Sequence, residues 1–180
     1  THQLATKGFD DFTQFSHQHP FIEADTTKWP VHVSMQDSPR PRMIKTHGPL
    51  RHLPREAKVI FIVRDPRIVC ADFYKHSLFT NQLKFGSEWD VFVQRFLDGH
   101  LFYGDWFEHT HEFWANRDDP NILFLTMEDM LKDLRPVVDQ VVDFLGYDLT
   151  PAEVDKLMPR FGFAYMKEHE NRFDFTQLYP

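Results

Sequence analysis

An unbroken apolar run, Val59-Ile60-Phe61-Ile62-Val63, stands between the charged residues Lys58 and Arg64. A run without alternation predicts a strand covered on both faces, the habit of a parallel sheet. Asp65-Pro66 follows, a carboxylate at the cap and a proline at the first helical position, and Ile68, Val69, Phe73 and His76 then recur at roughly helical spacing. The stretch reads as strand, tight turn and helix, with Arg64 at the carboxyl end of the strand. Two further β-rich runs flank it. Arg42–His47 (RMIKTH) ends at the breaker Gly48-Pro49, and Asn121–Thr126 (NILFLT) runs into Met127-Glu128-Asp129. Three such runs separated by helical stretches predict an α/β protein, a parallel β-sheet flanked by helices.

The remaining helices are legible by period. Trp89–Gly99 places Trp89, Phe92, Val93 and Phe96 on one face, and Leu101–Asn116 crowds Tyr103, Trp106, Phe107 and Phe113 on another. Aromatic density of this kind reads as core. Val137–Leu145 is amphipathic and closed by Gly146, and Thr150-Pro151-Ala152-Glu153 opens a further helix with a capping box. Thr1–Gly8 resembles the end of a helix with Gly8 as its C-terminal cap. Residues 9–40 are aromatic and proline-bearing without a period, which predicts short turns and loops. Periodicity is lost again from Phe161 to Pro180. No repeat, low-complexity tract or linker divides the chain, so a single domain over 1–180 is expected.

With 180 residues, 42% of them hydrophobic, the chain is long and apolar enough to bury a substantial core. Its one cysteine, Cys70, excludes an internal disulfide framework and fits a reducing compartment. No apolar run reaches the length of a membrane span and Thr1 onward does not resemble a signal peptide, so a soluble, cytoplasmic protein without a membrane partner is expected. The net charge of −7 disfavours nucleic acid as a partner.

Charge distribution changes the picture. From Arg40 to Arg67 eight basic residues stand against only Glu56 and Asp65. An acidic chain with one basic segment suits a small anion in a pocket; a solvated basic loop is the alternative. An arginine at a strand's carboxyl end, beside a helix start, lies where α/β sheets hold anions, and a surface ion pair would account for Arg64 equally well. His17 and His19 have ligand-like spacing, but no cysteine or carboxylate pattern completes a metal site, and both are expected to be exposed. His109 and His111 point to different helix faces. No metal is expected.

The segments RMIKTHGPLRHLP (42–54), KVIFIVRDPRIV (58–69), FGSEWDVFVQRFLDGHLFYGDWFEH (85–109), NILFLTMEDMLKDL (121–134), VVDFLGYDLTPAEVDKL (141–157) and FGFAYMK (161–167) resemble the cytosolic sulfotransferase family. They occur in that family's order and spacing and cover the chain from about 40 to 167. The resemblance implies a P-loop-like sulfotransferase fold and transfer of a sulfuryl group from 3′-phosphoadenosine 5′-phosphosulfate (PAPS) to a small-molecule acceptor, a phenol, alcohol or amine. It implies that His47 is the catalytic base and Lys45 its partner cation near the sulfuryl group. It further implies that Arg64 holds the cofactor's 3′-phosphate, and that Phe163 and Met166 lie against the nucleotide. The residue types suit the chemistry. An imidazole, with an unperturbed pKa of about 6.5, accepts a proton at physiological pH, and a guanidinium fork binds phosphate bidentately.

Several positions depart from the family pattern. No TYPKSGTTW-like phosphosulfate loop and no RKGxxGxW-like segment is present, so the chain reads as incomplete at both ends. Asp72 stands where serine is usual, Met127 where a tyrosine contacts the adenine, and Phe161-Gly162 where Thr-Ser is usual. A carboxylate near a 3′-phosphate repels it. The alternative expectation is therefore a sulfotransferase-fold binding module or fragment with a degraded nucleotide site. Acceptor identity and oligomeric state are not legible; His76, Phe79 and the aromatic 9–35 stretch are candidates for the acceptor pocket.

Overall fold

The computed structural model describes residues 1–9, 19, 21–23, 40–79 and 88–173. They fall into two compact units, Gly48–Leu134 and Thr1–His47 with Arg135–Pro180.

In the Gly48–Leu134 unit, β1 (Val59–Val63) and β2 (Ile122–Thr126) pair in parallel, Val59 opposite Ile122 through Val63 opposite Thr126. Helix α2 (Pro66–Phe79) follows β1 directly, so the expected strand, turn and helix form as one piece. Asp65 starts the helix as its residue type predicts: its Oδ1 accepts the backbone N–H of Arg67 at 2.8 Å. Helix α3 (Trp89–Leu97) packs on α2 through an aromatic core in which Phe92 is 0% exposed, with Cys70 and Phe96 buried beside it. Phe73 and Tyr74 meet the Phe92 ring edge-on, with centroids at 5.7 and 5.2 Å.

Helix α4 (Trp106–Ala115) covers one face of the sheet. Its Phe113 stacks on Phe61 of β1 at 4.1 Å and Trp114 meets Phe124 of β2 at 5.3 Å. The expected helix over Leu101–Asn116 thus begins five residues late. Gly99 and Gly104 take positive φ, and Asp105 caps the shorter helix by accepting the N–H groups of Phe107 and Glu108. Cover on both faces of β1 is also corrected, because Ile62, on the pleat opposite Phe61, remains 45% exposed. Beyond β2, Thr126 caps the short helix α5 (Met127–Lys132).

The other unit is built on α6 (Leu134–Leu145) and α7 (Pro151–Leu157). Val137, Val138, Val141 and Val142 form the buried stripe of α6, which ends at Gly146 with φ +72. Thr150 and Glu153 form the expected capping box, and Val154 and Leu157 of α7 are buried. The first helix, α1 (His2–Ala5), packs against α7. Gly8 is required where it stands: its φ is +82, and a Cβ there would lie 2.7 Å from Leu157 Cδ2. Arg160 then fastens the segment by donating to Gln3 Oε1 at 2.9 Å and to the Gly8 carbonyl.

Two local expectations fail in this unit. Arg42–His47 forms no ladder among the described residues; Lys45 makes a single parallel bridge to Phe21. Met43 and Ile44 are its only apolar residues before the Gly48-Pro49 breaker, too little to hold a run of paired backbone. The aperiodic tail is also more ordered than its pattern predicts, with a 3-10 turn at Met158–Phe161, helix α8 (Phe163–Glu168) and a second turn at Glu170–Arg172.

Candidate active site

Lys45 and His47 stand on the short stretch that bridges to Phe21, and a carboxylate from that partner segment organises it. Glu23 Oε1 accepts the backbone N–H of His47 at 2.8 Å and, in a very short hydrogen bond, the hydroxyl of Thr46. One oxygen thereby ties both residues that follow Lys45, Thr46 through its side chain and His47 through its backbone. Phe21 supplies the floor: the His47 ring meets it edge-on with centroids 5.2 Å apart, and Lys45 Nζ lies 5.1 Å from the same ring centroid. Lys45 keeps much of its surface exposed, yet partial burial of its ammonium lowers its pKa below the ordinary lysine value, an effect opposed by the Glu23 charge. The cluster sets a cation, an imidazole and a hydrogen-bonding carboxylate around one aromatic ring.

Arg64 belongs to the other unit, immediately after β1. Its Nη1 donates to Asp72 Oδ2 at 2.6 Å, and Lys75 Nζ lies 4.0 Å from the second carboxylate oxygen. The nearby turn is separately tied. Arg67 folds back on Asp65 and, through its side-chain hydrogen bonds first and its backbone N–H second, holds that carboxyl down to about 2. Glu128 accepts the Asp65 N–H at 3.2 Å, which joins the ends of both strands. Phe163 and Met166 stand on α8, Phe163 with 81% of its surface exposed.

Sequence reasoning missed Glu23 and Phe21. Both lie in the stretch without a period, and a lone carboxylate 24 residues before His47 carries no signal. It also misplaced His19, which is half-buried rather than exposed. Its Nε2 is 3.1 Å from His2 Nδ1, and burial first, then the His2 charge, lowers its pKa to about 4. His17, and much of the 9–35 stretch, lie outside the described residues. His109 is half-buried against Phe61 and Phe113 while His111 is exposed, as helix geometry predicts for residues two apart. Among the described residues no group of three or more His, Cys, Asp or Glu is arranged to hold a metal.

The parallel strand–helix unit with its terminal arginine, and the Lys-Thr-His segment, are the features by which the chain can be placed. The family model for the sulfotransferase domain matches residues 4–176, and the chain belongs to the sulfotransferase family. Sulfotransferase 4A1 of Mus musculus is 37% identical over 123 residues, 66% of this chain and 43% of its own. Sulfotransferase 1A1 of Bos taurus is 31% identical over 156 residues, 83% of this chain and 53% of its own. The chain thus spans about half the length of the curated relatives it matches. Among solved structures, retinol dehydratase with androsterone and the inactive cofactor PAP superposes with a TM-score of 0.67 at 33% identity, over 76% of this chain and 41% of that one. Mouse sulfotransferase SULT7A1 with PAP gives 0.64 at 30%, over 70% and 48%. These structures share the α/β fold described above.

Proposed function

We propose that the protein transfers a sulfuryl group from PAPS to a hydroxyl or amine of a small acceptor. The observation that carries this reading is the Lys45-Thr46-His47 segment seated on Glu23 in a chain of the sulfotransferase family. PAPS, when bound, supplies the activated sulfuryl group. His47 takes the proton of the attacking hydroxyl or amine, and Lys45 offsets negative charge on the departing phosphate oxygen. Sulfuryl transfer resembles phosphoryl transfer, so positioning and charge stabilisation carry most of the catalysis. Arg64, Phe163 and Met166 serve the nucleotide, Arg64 holding its 3′-phosphate and the exposed Phe163 and Met166 lying against it. Retinol dehydratase has been solved with androsterone and with retinol, so an apolar alcohol is the acceptor to test first. We assign these roles to one domain over 1–180, in a cytoplasmic protein without a nucleic-acid or membrane partner.

The test follows transfer of labelled sulfate from PAPS to a steroid alcohol, a phenol and an amine, alongside calorimetric affinity for PAP (3′-phosphoadenosine 5′-phosphate). His47→Ala is expected to lower kcat by about 100-fold or more and to leave PAP affinity unchanged. Turnover retained in that variant would remove His47 from the role. PAP binding without turnover in the native protein would instead leave a nucleotide-binding module.

A further inference from the structure

We propose that His19 is a positioning residue for the Lys45–His47 stretch: its contact with His2 latches the segment carrying Phe21 and Glu23 against residues 43–47, and protonation of the histidine pair releases it. Only the consequence for transfer rests on the reading of His47 as the base.

Three contacts join the two segments at one constant offset. His19 makes a hydrogen bond to the Met43 backbone, Phe21 forms the parallel bridge to Lys45, and Glu23 accepts the His47 N–H, each pair 24 residues apart. Beside the bridge, the Ile22 N–H donates to the Lys45 carbonyl at 3.1 Å. His19 ties this pairing to the rest of its unit. Its Nε2 lies 3.1 Å from His2 Nδ1, with the two rings edge-on at 5.0 Å. His2 stands on α1, which packs against α7, and Arg160 fastens that segment through Gln3 and the Gly8 carbonyl. Helix α1 is therefore the fixed side of the latch.

A hydrogen bond between two imidazoles needs one N–H and one bare nitrogen. With both rings protonated, two N–H groups face each other and the contact is lost. Burial opposes even the first charge on His19. Burial, and then the His2 charge, lower its pKa to about 4 against the pull of the Met43 hydrogen bond. Among the described residues, the charged groups acting on His19 are His2 and the Thr1 amino group, and both act against its protonation. A released His19 regains the ordinary value of about 6.5. Below that pH the released form takes up a proton that the latched form refuses, so acid drives opening. Opening withdraws Phe21 from beneath Lys45 and Glu23 from the His47 N–H, which disperses the cluster. An uncharged amide at position 19 keeps a donor and an acceptor at every pH and carries no such switch.

The experiment measures amide hydrogen-exchange protection, relative to the unfolded rate at each pH, at Ile22 and His47 and at Val141 and Val142 of α6. The native chain, His19→Gln, His19→Ala and His47→Ala are compared at pH of about 7.5 and about 5. In the native chain, protection at Ile22 and His47 is expected to lie below that in α6 and to fall by about tenfold at the lower pH. His19→Gln should hold it nearly level, and His19→Ala should lower it at both; should the alanine variant not fold, the glutamine variant decides alone. Glu23 and His47 remain in His19→Gln, so an equal fall there would assign the effect to them and overturn the proposal. No fall in the native chain would overturn it too. So would protection at Ile22 and His47 equal to that in α6 at both pH values, because the segments would then open only with the whole unit. His47→Ala should keep the fall at Ile22, and its loss would assign the effect to His47 and overturn the latch. Sulfuryl transfer retained in His47→Ala with the fall intact would remove the base and leave the latch standing.

Discussion

Glu23 is the residue on which the candidate catalytic segment depends. Hydrogen bonds to a charged acceptor contribute about 1.5–3 kcal/mol each, and one Glu23 oxygen accepts two of them, from Thr46 and His47. Glu23→Ala should therefore loosen the backbone at 46–47 without touching the imidazole. Amide hydrogen exchange at His47 is expected to accelerate by about tenfold or more in that variant, and less in Glu23→Gln, whose amide oxygen can still accept. Unchanged exchange in Glu23→Ala would show that the carboxylate does not hold the segment. Lys45 and His47 were singled out because the segment that holds them resembles a family pattern. Glu23 was not, since nothing local connects it to residues 24 positions away.

The elements follow their local signals wherever those signals are strong. Thr150-Pro151-Ala152-Glu153 produces the capping box it predicts, with Thr150 accepting from the Glu153 N–H and Glu153 accepting from the Thr150 N–H at 2.7 Å. Thr150→Ala should cost about 1 kcal/mol in urea unfolding; a change close to zero would make the box ornamental. The α2–α3 contact is a larger stake. Phe92 is fully enclosed by Cys70, Phe96, Phe73 and Tyr74, and Phe92→Ala should destabilise the chain by about 3–5 kcal/mol. A loss under 1 kcal/mol in the same urea titration would place that packing outside the cooperative core. Boundaries were less legible than existence. The α4 pattern extends through Leu101 and Tyr103, but positive φ at Gly104 and the Asp105 cap start the helix only at Trp106.

Across the whole molecule, the His2–His19 contact links stability to pH. His19 titrates near 6.5 when unfolded and near 4 in the fold, where burial disfavours its charged form. Between those values the unfolded chain binds a proton that the folded chain refuses. This contribution to stability is thus complete above pH 6.5 and is lost as pH falls through 6.5 towards 4. For a half-buried group the discounted effect is about 1–2 kcal/mol. Urea midpoints measured from pH 7 to pH 4 should fall, and His19→Gln should remove that part of the slope. An equal slope in the variant would exclude His19 as its source. The contribution of Asp65, held near 2 by Arg67, is complete above about 4 and is lost only as pH falls from there towards 2.

The family was legible only from the resemblance of whole segments to a known one, while local spacing was sufficient to define both paired strands, the Asp65 and Thr150 caps and the α6 stripe. Each of these depends on neighbours a few residues apart, whose side-chain period and backbone preference act before any distant contact forms. Tertiary structure decided the rest: that Glu23 seats Thr46 and His47, that His19 is half-buried against His2 and that Ile62 stays exposed. It also gave Arg64 its ion-pair partner, Asp72. The physical reason is common to all of them. A hydrogen-bond or ion-pair partner is chosen by which groups the packed backbone brings within about 3 Å, and a linear pattern carries no such distance.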